Sequence, residues 1–424
     1  MRLTLVNLFY PPDLAPSAHL AASLAEHRAA LGDRVTIVSG RGTYLGGATN
    51  ERDPRRAAGP DVIRLWTPAL GKANATKRLG DYLAFFLQAV ARLLVLPRQD
   101  VIVALTTPPF IVAAAVAHRI LHPRARVILW SHDVYPDAVE AYGTIRPGGP
   151  LSRALHAINR WLLRRVDHVV GVDPAVLDRV LAGAAPDGTP DGSVIFTWEP
   201  AALFPPDRRP DPWSGYHDPD LAGRFVVLHL GNLGFGHRTD TIADAAAALS
   251  DDGVTFLFVG GGARYAELAE AAARRGASNV RFRDYVPKEL TPAVLAGADA
   301  TLISLDDRSI GIMSPCKMNG SLAMGVPVVY AGPEGTNVDH AITTFDCGSS
   351  LRQGDVDGVV EAIRRLRDDA ELRADRSRNA RRAFETSFSD EQALPRFDEL
   401  FDRLGPGSAP RSSGERGIGW PPVP

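Results

Sequence analysis

The feature that most constrains this 424-residue chain is a strand–loop–helix unit that occurs at the start of each half. The first copy is an apolar run at residues 3–7, a helix at 18–31 and a second apolar run at 34–38. The second copy begins with an apolar run at 225–230 and a helix at 239–249. Parallel strands need such helical crossovers, which are right-handed. The sequence therefore predicts an α/β fold with two doubly wound parallel sheets.

The length of the chain also favours two domains, because one hydrophobic core rarely serves 424 residues. A stretch rich in proline and aspartate separates the two copies and reads as a linker. We predict an N-terminal domain at 1–199, a linker at 200–223, a C-terminal domain at 224–388, a final helix at 389–404 and a disordered tail at 405–424.

Composition excludes several classes of protein. A formal net charge of -2 disfavours bulk nucleic-acid binding, and two cysteines provide neither a disulfide framework nor a metal cluster. No apolar run of about 18 residues is present, so no membrane span is expected. The first turn lacks the glycine fingerprint of dinucleotide binding. Because no leader is visible at residue 1, a cytoplasmic setting is the expectation.

Two stretches of the C-terminal half predict an anion site. In the first, at 306–332, Ser314 is predicted to cap a helix that begins at Pro315 and carries Lys317, with a buried strand at 326–330. A cation in the first turn of a helix, where an acid is usual, indicates a negatively charged ligand. The second stretch, a loop with three glycines at 231–238, allows the backbone to approach a ligand closely. The alternatives are an ordinary capped helix and a plain turn.

In the N-terminal half, a predicted strand at 126–130 ends directly before His132 and Asp133, and a neighbouring strand at 100–104 ends before Thr106. Ligands of open α/β sheets bind at the carboxyl ends of the strands, so this pair is a candidate catalytic or sugar-binding element. The alternative is that both residues only stabilise the loop. A basic and apolar helix at 72–97 is either packed on the sheet or laid on an anionic membrane surface.

The order of these motifs resembles a known family, the retaining nucleotide-sugar glycosyltransferases of family 4, and most closely a bacterial surface-polysaccharide branch similar to fucosamine transferases. The resemblance rests on the segments NLFYPPDLAPS (7–17), TTPP (106–109), SHDVYPDAVEAYG (131–143), GNLGFGHRTD (231–240) and MSPCKMNGSLAMGVPVVYAG (313–332). It implies the GT-B fold, in which two Rossmann-like domains face each other and a C-terminal helix packs back toward the N-terminal domain.

The resemblance also implies roles for particular residues. His132 would contact the donor sugar at the reaction centre, and Asp133 would orient it or bind the acceptor. The donor phosphates and nucleotide would be held by Gly231, Asn232, Gly234, His237, Arg238, Gly261, Gly262, Ser314 and Lys317. The acceptor side would be lined by Pro12, Asp13, Ser17 and Tyr135. No metal and no cofactor are implied; the donor is a substrate such as a UDP- or GDP-sugar.

The chain departs from the family pattern at two acids. Most members carry two glutamates in an E-x7-E motif, and alignment on Gly325 places Ile312 and Gly320 at those positions. The usual arginine and lysine clamp is absent in plain form, which leaves His237, Arg238 and Lys317 as the nearby cationic candidates. The sugar and ribose contacts of the donor must therefore differ from those of the family.

Three functions stay open on this evidence. The first is transfer of a sugar to a glycan or lipid-linked acceptor in polysaccharide assembly, with a leaving phosphate that accepts the acceptor's proton and with peripheral contact at the inner membrane face. The second is a nucleotide-sugar 2-epimerase, which has a similar fold but needs acids around the sugar. The third is a degenerate transferase that acts as a scaffold, which the two missing glutamates favour.

Overall fold

The computed structural model describes residues 1–13, 15–41, 59–68, 75–184, 188–206 and 209–405. It divides into two compact units. The first contains Met1–Ile195 and the segment that begins at Leu394, and the second contains Phe196–Ala393. In the described residues, no helix is long and apolar enough to cross a membrane.

The first unit is built on a parallel sheet with the strand order β3-β2-β1-β4-β5-β6-β7. Its strands are β1 (Arg2–Val6), β2 (Arg34–Gly40), β3 (Asp61–Leu65), β4 (Val101–Ala104), β5 (Arg126–Ser131), β6 (His168–Gly171) and β7 (Asp191–Val194). Its helices are α1 (Pro16–Ala30), α2 (Ala75–Val95), α3 (Val112–Leu121), α4 (Asp137–Ala141), α5 (Pro150–Leu163) and α6 (Pro174–Ala182).

The second unit repeats this architecture with the order β10-β9-β8-β11-β12-β13, again parallel. Its strands are β8 (Phe225–Asn232), β9 (Val254–Gly261), β10 (Val280–Arg283), β11 (Ala300–Ser304), β12 (Val328–Ala331) and β13 (Gly348–Leu351). Its helices are α7 (Asp240–Ala248), α8 (Tyr265–Arg274), α9 (Thr291–Ala296), α10 (Lys317–Ala323), α11 (Asn337–Phe345), α12 (Val356–Asp368) and α13 (Ala370–Ala383). A π-helical turn at Phe384–Phe388 leads to α14 (Asp390–Leu404).

The central strands of both sheets are buried along their length. All four residues of β4 and all five of β11 are buried, which is expected where helices cover both faces of a parallel sheet. In the second unit Phe256, Phe258 and Val329 lie in one core cluster with side chains of α7 and α12. The prediction of two doubly wound parallel sheets is therefore confirmed.

The last helix, α14, packs on the first unit. Phe397 lies edge-on to Trp130 with ring centroids 4.8 Å apart. Arg28 of α1 donates hydrogen bonds to Asp398 and to Asp33, each at 2.7 Å, and its guanidinium lies over the Phe401 ring. The predicted return of the C-terminal helix to the N-terminal domain is thus confirmed, and an ion-pair network accompanies the aromatic contacts.

Several predicted bounds are wrong by a few residues. The helix predicted at 18–31 is α1, which spans Pro16–Ala30. The strand predicted at 326–330 starts at Val328 and ends at Ala331. Helix α11 and strand β13 had not been predicted. Lys72, the first residue of the helix predicted at 72–97, lies outside the described residues. Residues 406–424 of the tail that was predicted to be disordered also lie outside them.

Candidate functional site

The strand order of the second unit places a crevice at the ends of β8 and β11. These strands are neighbours, but the chain leaves them toward opposite edges of the sheet. Ligands of open α/β sheets bind at such a switch point, outside the carboxyl ends of the strands. The segment after β8 begins at Leu233 and the segment after β11 begins at Leu305. Both segments belong to the stretches from which an anion site was predicted.

Residues at and after the end of β11 hold the glycine loop in place. The Ser304 hydroxyl donates to the Arg238 carbonyl at 2.6 Å and accepts from the Arg238 amide at 3.2 Å. The Asp306 amide donates to the Gly236 carbonyl at 2.8 Å, and the Ser309 hydroxyl donates to the same carbonyl at 3.3 Å. The loop is therefore preorganised by its neighbours, and it is not a plain flexible turn.

Two glycines are needed for close approach of backbone and side chain. Gly231 has a φ of 110°, and a Cβ added there would lie 3.4 Å from Cε of Lys317. Gly262 has a φ of 134°, and a Cβ there would lie 2.4 Å from the Leu233 carbonyl oxygen. Side chains at either position would be strained or would meet these atoms. Glycine at 231 thus allows the lysine stem to lie against the strand.

The structure corrects the predicted position of Gly231 and Asn232. Gly231 and Asn232 belong to β8 and pair with Gly260 and Gly261 of β9, so the strand extends two residues beyond its predicted end. The Asn232 side chain lies beside Gly234, where an added Cβ would be 2.8 Å from its Nδ2. A Cβ at Gly261 would lie 2.8 Å from the Tyr285 ring.

Helix α10 begins at Lys317, with Cys316 as its N-cap residue, so the prediction of a Ser314 cap is wrong. The Pro315 carbonyl accepts a hydrogen bond from Nδ2 of Asn337 at 3.3 Å, which keeps this residue outside the helix. The Ser314 hydroxyl is buried and has no hydrogen-bond partner among the described residues. The prediction that Lys317 stands in the first turn of the helix is confirmed.

The Lys317 ammonium is held by a neutral histidine. Its Nζ lies 2.9 Å from Nε2 of His237. The His237 Nδ1 bonds to the Ser304 carbonyl oxygen, which can only accept, so Nδ1 carries the proton and Nε2 accepts from the lysine. Burial, and then the charge of Lys317, keep the His237 pKa well below its usual range. Burial also lowers the pKa of Lys317 to about 8.

A second buried imidazole, His229, lies next to this pair. Its Nδ1 donates to the Leu302 carbonyl at 3.1 Å, and its ring centroid is 5.8 Å from that of His237. Burial, with a smaller contribution from Lys317, lowers the His229 pKa to about 3. Sequence reasoning missed His229. The signal that could have revealed it is a titratable residue in the otherwise apolar run of β8.

Lys317 forms no ion pair with a carboxylate within the part of the chain that the structure describes. Arg238 differs, since its side chain is half exposed and lies 3.9 Å from the Asp240 carboxylate. The structure thus brings Gly231, His237 and Lys317 together and leaves the Arg238 side chain toward solvent. The ammonium is thus a partly buried positive charge in this crevice.

The positions of the two missing glutamates are used for packing. Ile312 is 2% exposed and belongs to the core. A Cβ at Gly320 would lie 3.2 Å from Cδ1 of Leu295 on α9. A glutamate at either position would need a rearrangement of these contacts. Neither position therefore offers an acid that could contact a ligand.

In the first unit, His132 and Asp133 follow the carboxyl end of β5, which is where the sequence predicted a site. Both of their amides donate to the Thr106 hydroxyl, at 3.3 and 3.1 Å, so the loop after β4 positions the loop after β5. The His132 ring lies 5.1 Å from the Trp130 ring, and burial lowers the His132 pKa to about 4. Its Nε2 is buried and has no partner among the described residues. His132 is therefore a neutral imidazole with an unused nitrogen.

Asp133 and Tyr135 line one small cavity with Thr106 and Phe110. The cavity volume of about 30 Å³ is enough for one or two water molecules. Burial raises the Tyr135 pKa well above its usual range, and the nearby Asp133 carboxylate adds to this effect. Tyr135 is thus a neutral phenol that can donate a hydrogen bond.

Three of the four predicted acceptor-side residues lie around the start of α1. Pro12 is exposed, whereas Asp13 is buried and accepts a hydrogen bond from the Ala15 amide at 2.8 Å. Ser17 accepts from Nδ2 of Asn7 at 3.3 Å. Arg64 fixes the preceding loop by donating to the Tyr10 and Pro11 carbonyls. Asp13 thus has a structural role as a turn cap.

No group of three His, Cys, Asp or Glu side chains in the described residues is placed to hold a metal ion.

Comparison with known families assigns the chain to a class. Residues 17–190 match the family described as "Glycosyl transferase 4-like domain", and residues 224–369 match "Glycosyl transferases group 1". The first segment contains β2 to β6 of the first sheet, and the second segment contains the whole second sheet. Each half of the chain thus carries a segment that matches a glycosyltransferase family.

Two curated relatives of the chain are also named as glycosyltransferases. The chain is 25% identical over 246 residues to the "Putative colanic acid biosynthesis glycosyl transferase WcaI" of Escherichia coli, which covers 57% of this chain and 60% of that protein. It is 23% identical over 240 residues to the "Probable glycosyltransferase WbjE" of Pseudomonas aeruginosa, covering 56% of this chain and 58% of the relative. The matches thus span little more than half the length of these relatives.

Solved structures confirm the GT-B fold. The sucrose-phosphate synthase of Thermosynechococcus elongatus superimposes with a TM-score of 0.70 at 14% identity, covering 95% of this chain and 98% of the other. Anabaena HepE in complex with UDP and glucose has a TM-score of 0.69 at 15% identity, covering 95% and 99%. At these identities the likeness shows the fold alone.

Proposed function

We propose that this chain transfers a sugar from a nucleotide-sugar donor to an acceptor hydroxyl with retention of configuration. The observation that supports this most is Lys317, a partly buried ammonium in the crevice after β8 and β11, held by the neutral His237. A desolvated cation without an opposite charge is unfavourable. A diphosphate would supply that charge, and the glycine loop would allow its close approach.

The proposed reaction uses this charge on the leaving group. The bond between the anomeric carbon and the phosphate oxygen breaks, and a bond from the acceptor oxygen to that carbon forms. Negative charge grows on the leaving phosphate, which takes the proton of the acceptor hydroxyl. Preorganised positive groups stabilise such a transition state more than the ground state. Helix α10 has seven residues, so its dipole is small and Lys317 carries most of this task.

His132 would contact the donor sugar at the reaction centre. Two observations support this role, namely its position after β5 and its buried Nε2 without a partner in the described chain. With a pKa of about 4, the imidazole stays neutral at working pH and can hydrogen-bond a sugar hydroxyl without adding charge. Asp133 and Tyr135 would bind the acceptor beside it, and Ser17 and Pro12 would lie on the same acceptor side.

The substrates belong to the same proposal. Relatives named for colanic acid biosynthesis, and the UDP complexes of a protein of similar fold, support a UDP- or GDP-sugar donor and a polysaccharide or lipid-linked acceptor. The proposal includes membership of the branch that is similar to fucosamine transferases. It also includes a cytoplasmic location at the inner membrane face. The reaction would need no metal, so turnover should survive a chelator.

A ligand panel tests the proposal. Thermal melting is measured with UDP, GDP, dTDP and their sugar conjugates, and with uridine and guanosine as controls that lack the diphosphate. One diphosphate should raise the melting temperature by several degrees, as binding to the folded state requires, while its nucleoside should not.

The other functions are separate outcomes of the same panel. If no diphosphate binds, the donor site is wrong and the scaffold hypothesis is favoured. If the donor binds and its sugar is isomerised without an acceptor, the epimerase hypothesis is favoured. For a transferase, the anomeric configuration of the product is read by NMR.

A further inference from the structure

Gln353 lies just after β13 at the edge of the second sheet, and the proposed mechanism does not use it. Its Nε2 donates to the Ala331 carbonyl at 2.7 Å, to the Leu305 carbonyl at 3.0 Å and to the Ser304 hydroxyl at 3.0 Å. Ala331 is the last residue of β12, and Ser304 is the last residue of β11. One side-chain amide therefore ties together the carboxyl ends of two strands beside the crevice.

The orientation of this amide follows from its partners. Carbonyl oxygens only accept, so the atom that faces the two carbonyls must be the nitrogen. The Oε1 atom of Gln353 accepts from the Thr241 hydroxyl at 2.9 Å, and that hydroxyl accepts from the Gly354 amide at 2.9 Å. Each of these partners is uncharged. Toward the Ser304 hydroxyl, the Gln353 side chain can therefore only donate.

This fixed direction decides where the single proton of the Ser304 hydroxyl points. The oxygen accepts from Gln353 and from the Arg238 amide, which occupies both of its lone pairs. Its proton is then left for the Arg238 carbonyl, at 2.6 Å. The backbone carbonyl of the same serine accepts from Nδ1 of His237, whose Nε2 accepts from the Lys317 ammonium. Ser304 thus holds the glycine loop at two adjacent residues.

We infer that Gln353 is a positioning residue of the donor site, and this inference rests on the proposed function. Its amide keeps the proton of the Ser304 hydroxyl on the glycine loop. It thereby keeps His237 in place to orient the Lys317 ammonium. Gln353 acts through Ser304 and does not itself touch the donor. The property that matters is the polarity of its amide, in addition to the hydrogen bonds that it contributes to the fold.

Two substitutions of Gln353 separate the polarity of the side chain from its packing. In Q353E a carboxylate can only accept, so the Ser304 hydroxyl should turn its proton to it and release the Arg238 carbonyl. In Q353L no acceptor is introduced, so that proton should stay on the loop, although every hydrogen bond of the side chain is lost. At pH 7.5, calorimetry should show UDP or GDP binding about ten-fold weaker for Q353E and within about three-fold of wild type for Q353L.

Lower pH should restore the affinity of Q353E. The carbonyl oxygens around the introduced carboxyl disfavour its charged form, so its pKa should lie above the ordinary value of about 4.3. Once protonated, the carboxyl can donate again, and the Ser304 proton can return to the loop. The ratio of the Q353E and wild-type dissociation constants should therefore fall from about ten at pH 7.5 to about three at pH 5. Dividing by wild type removes the ionisation of the phosphates themselves.

Two further variants provide the controls. Asn379 of α13 also donates its side-chain amide to a backbone carbonyl, that of Asp346, at 3.2 Å. N379D makes the same chemical change as Q353E and should bind like wild type. S304A has no hydroxyl proton to redirect, so adding Q353E to it should weaken binding by less than about three-fold. Melting temperatures are measured for all variants, because a purely structural role of Gln353 would lower them and leave the affinity of the folded protein unchanged.

A measurement without ligand separates this inference from the proposed function. The nitrogen NMR shifts of the His237 imidazole, assigned with H237Q, report which ring nitrogen carries the proton. The proton should be fixed on Nδ1 in wild type, Q353L and N379D. In Q353E at pH 7.5 the loop is released, so the shifts should indicate a mixture of the two tautomers.

Three results would overturn the inference. They are diphosphate binding by Q353L that is as weak as that of Q353E, a Q353E ratio that does not change with pH, and equal His237 shifts in wild type and Q353E. If wild type binds no diphosphate, the proposed function fails, and the His237 shifts decide whether Gln353 positions the histidine. If wild type binds and any of the three results is found, only the role of Gln353 fails.

Discussion

Replacing Lys317 by methionine should make the free protein more stable and its donor binding weaker. Burial lowers the pKa of Lys317 from 10.5 to about 8. One pKa unit corresponds to about 1.4 kcal/mol, so the ammonium destabilises the folded state at pH 7 by at most about 3 kcal/mol. Methionine has a similar length and no charge, so K317M should recover part of this free energy, or roughly 2–4 °C of melting temperature per kcal/mol.

The sign of this effect depends on pH. The unfolded chain keeps the lysine proton up to 10.5, whereas the folded chain releases it above about 8. The unfolded state therefore binds more protons between these values, and the stability of wild type rises there. The melting difference between K317M and wild type should be largest near pH 7 and should shrink as pH approaches 10.

Donor affinity should change in the opposite direction. Truncating one partner of a buried charge pair costs about 2–5 kcal/mol, so calorimetry should show UDP or GDP binding to K317M weaker by about 30-fold or more. Wild-type affinity should fall above pH 8, where the free lysine loses its proton. K288M is the control, because Lys288 already pairs with Glu199 at 2.6 Å. A K317M variant that melts below wild type and binds the nucleotide equally well would refute this account of the lysine.

Substitutions at three further positions test the remaining contacts. H237Q keeps an acceptor for the Lys317 ammonium and should retain donor affinity within about three-fold, whereas H237L should lose about ten-fold by calorimetry. H132A should lower the turnover number about 100-fold with unchanged melting, and wild-type turnover should show no pKa near 6.5 from this residue. R28M leaves Asp398 and Asp33 without their shared cation and should lower the free energy of unfolding by about 2–4 kcal/mol, measured by chemical denaturation; unchanged stability would contradict the proposed role of this network.

The strand pattern was sufficient to predict the fold, because alternating apolar runs and helices leave few topologies for a parallel sheet. Gly231 shows the limit of apolar runs as a guide to where a strand ends. Its backbone pairs with Gly260 in β8 and β9, but a glycine pair has no apolar side chain to mark a strand. The end of β8 was therefore placed two residues too early, although Gly231 had been recognised as a site of close approach.

The site could be predicted only in part, because the decisive contacts join distant segments. Lys317 was selected because it was predicted to lie in the first turn of a helix, and the structure confirms that position. Ser314 does not cap α10, because the helix begins at Lys317, and the preceding Pro315 carbonyl instead bonds to Asn337, a side chain 22 residues away. His237 was expected as a cation, but burial and then the charge of Lys317, 80 residues away, keep its pKa well below the usual range, so it is neutral. Neither contact leaves a trace in local sequence.

The choice of a neutral histidine beside Lys317 has a physical consequence for ligand binding. A carboxylate at His237 would hold the ammonium equally well, but it would cancel its charge and would repel a phosphate. An imidazole with its proton fixed on Nδ1 accepts from the ammonium and leaves the positive charge for the ligand. With Ile312 and Gly320 used for packing, the donor grip would then depend on a charge that is oriented and not neutralised. H237E should therefore weaken diphosphate binding more than H237L does, although it restores a hydrogen bond.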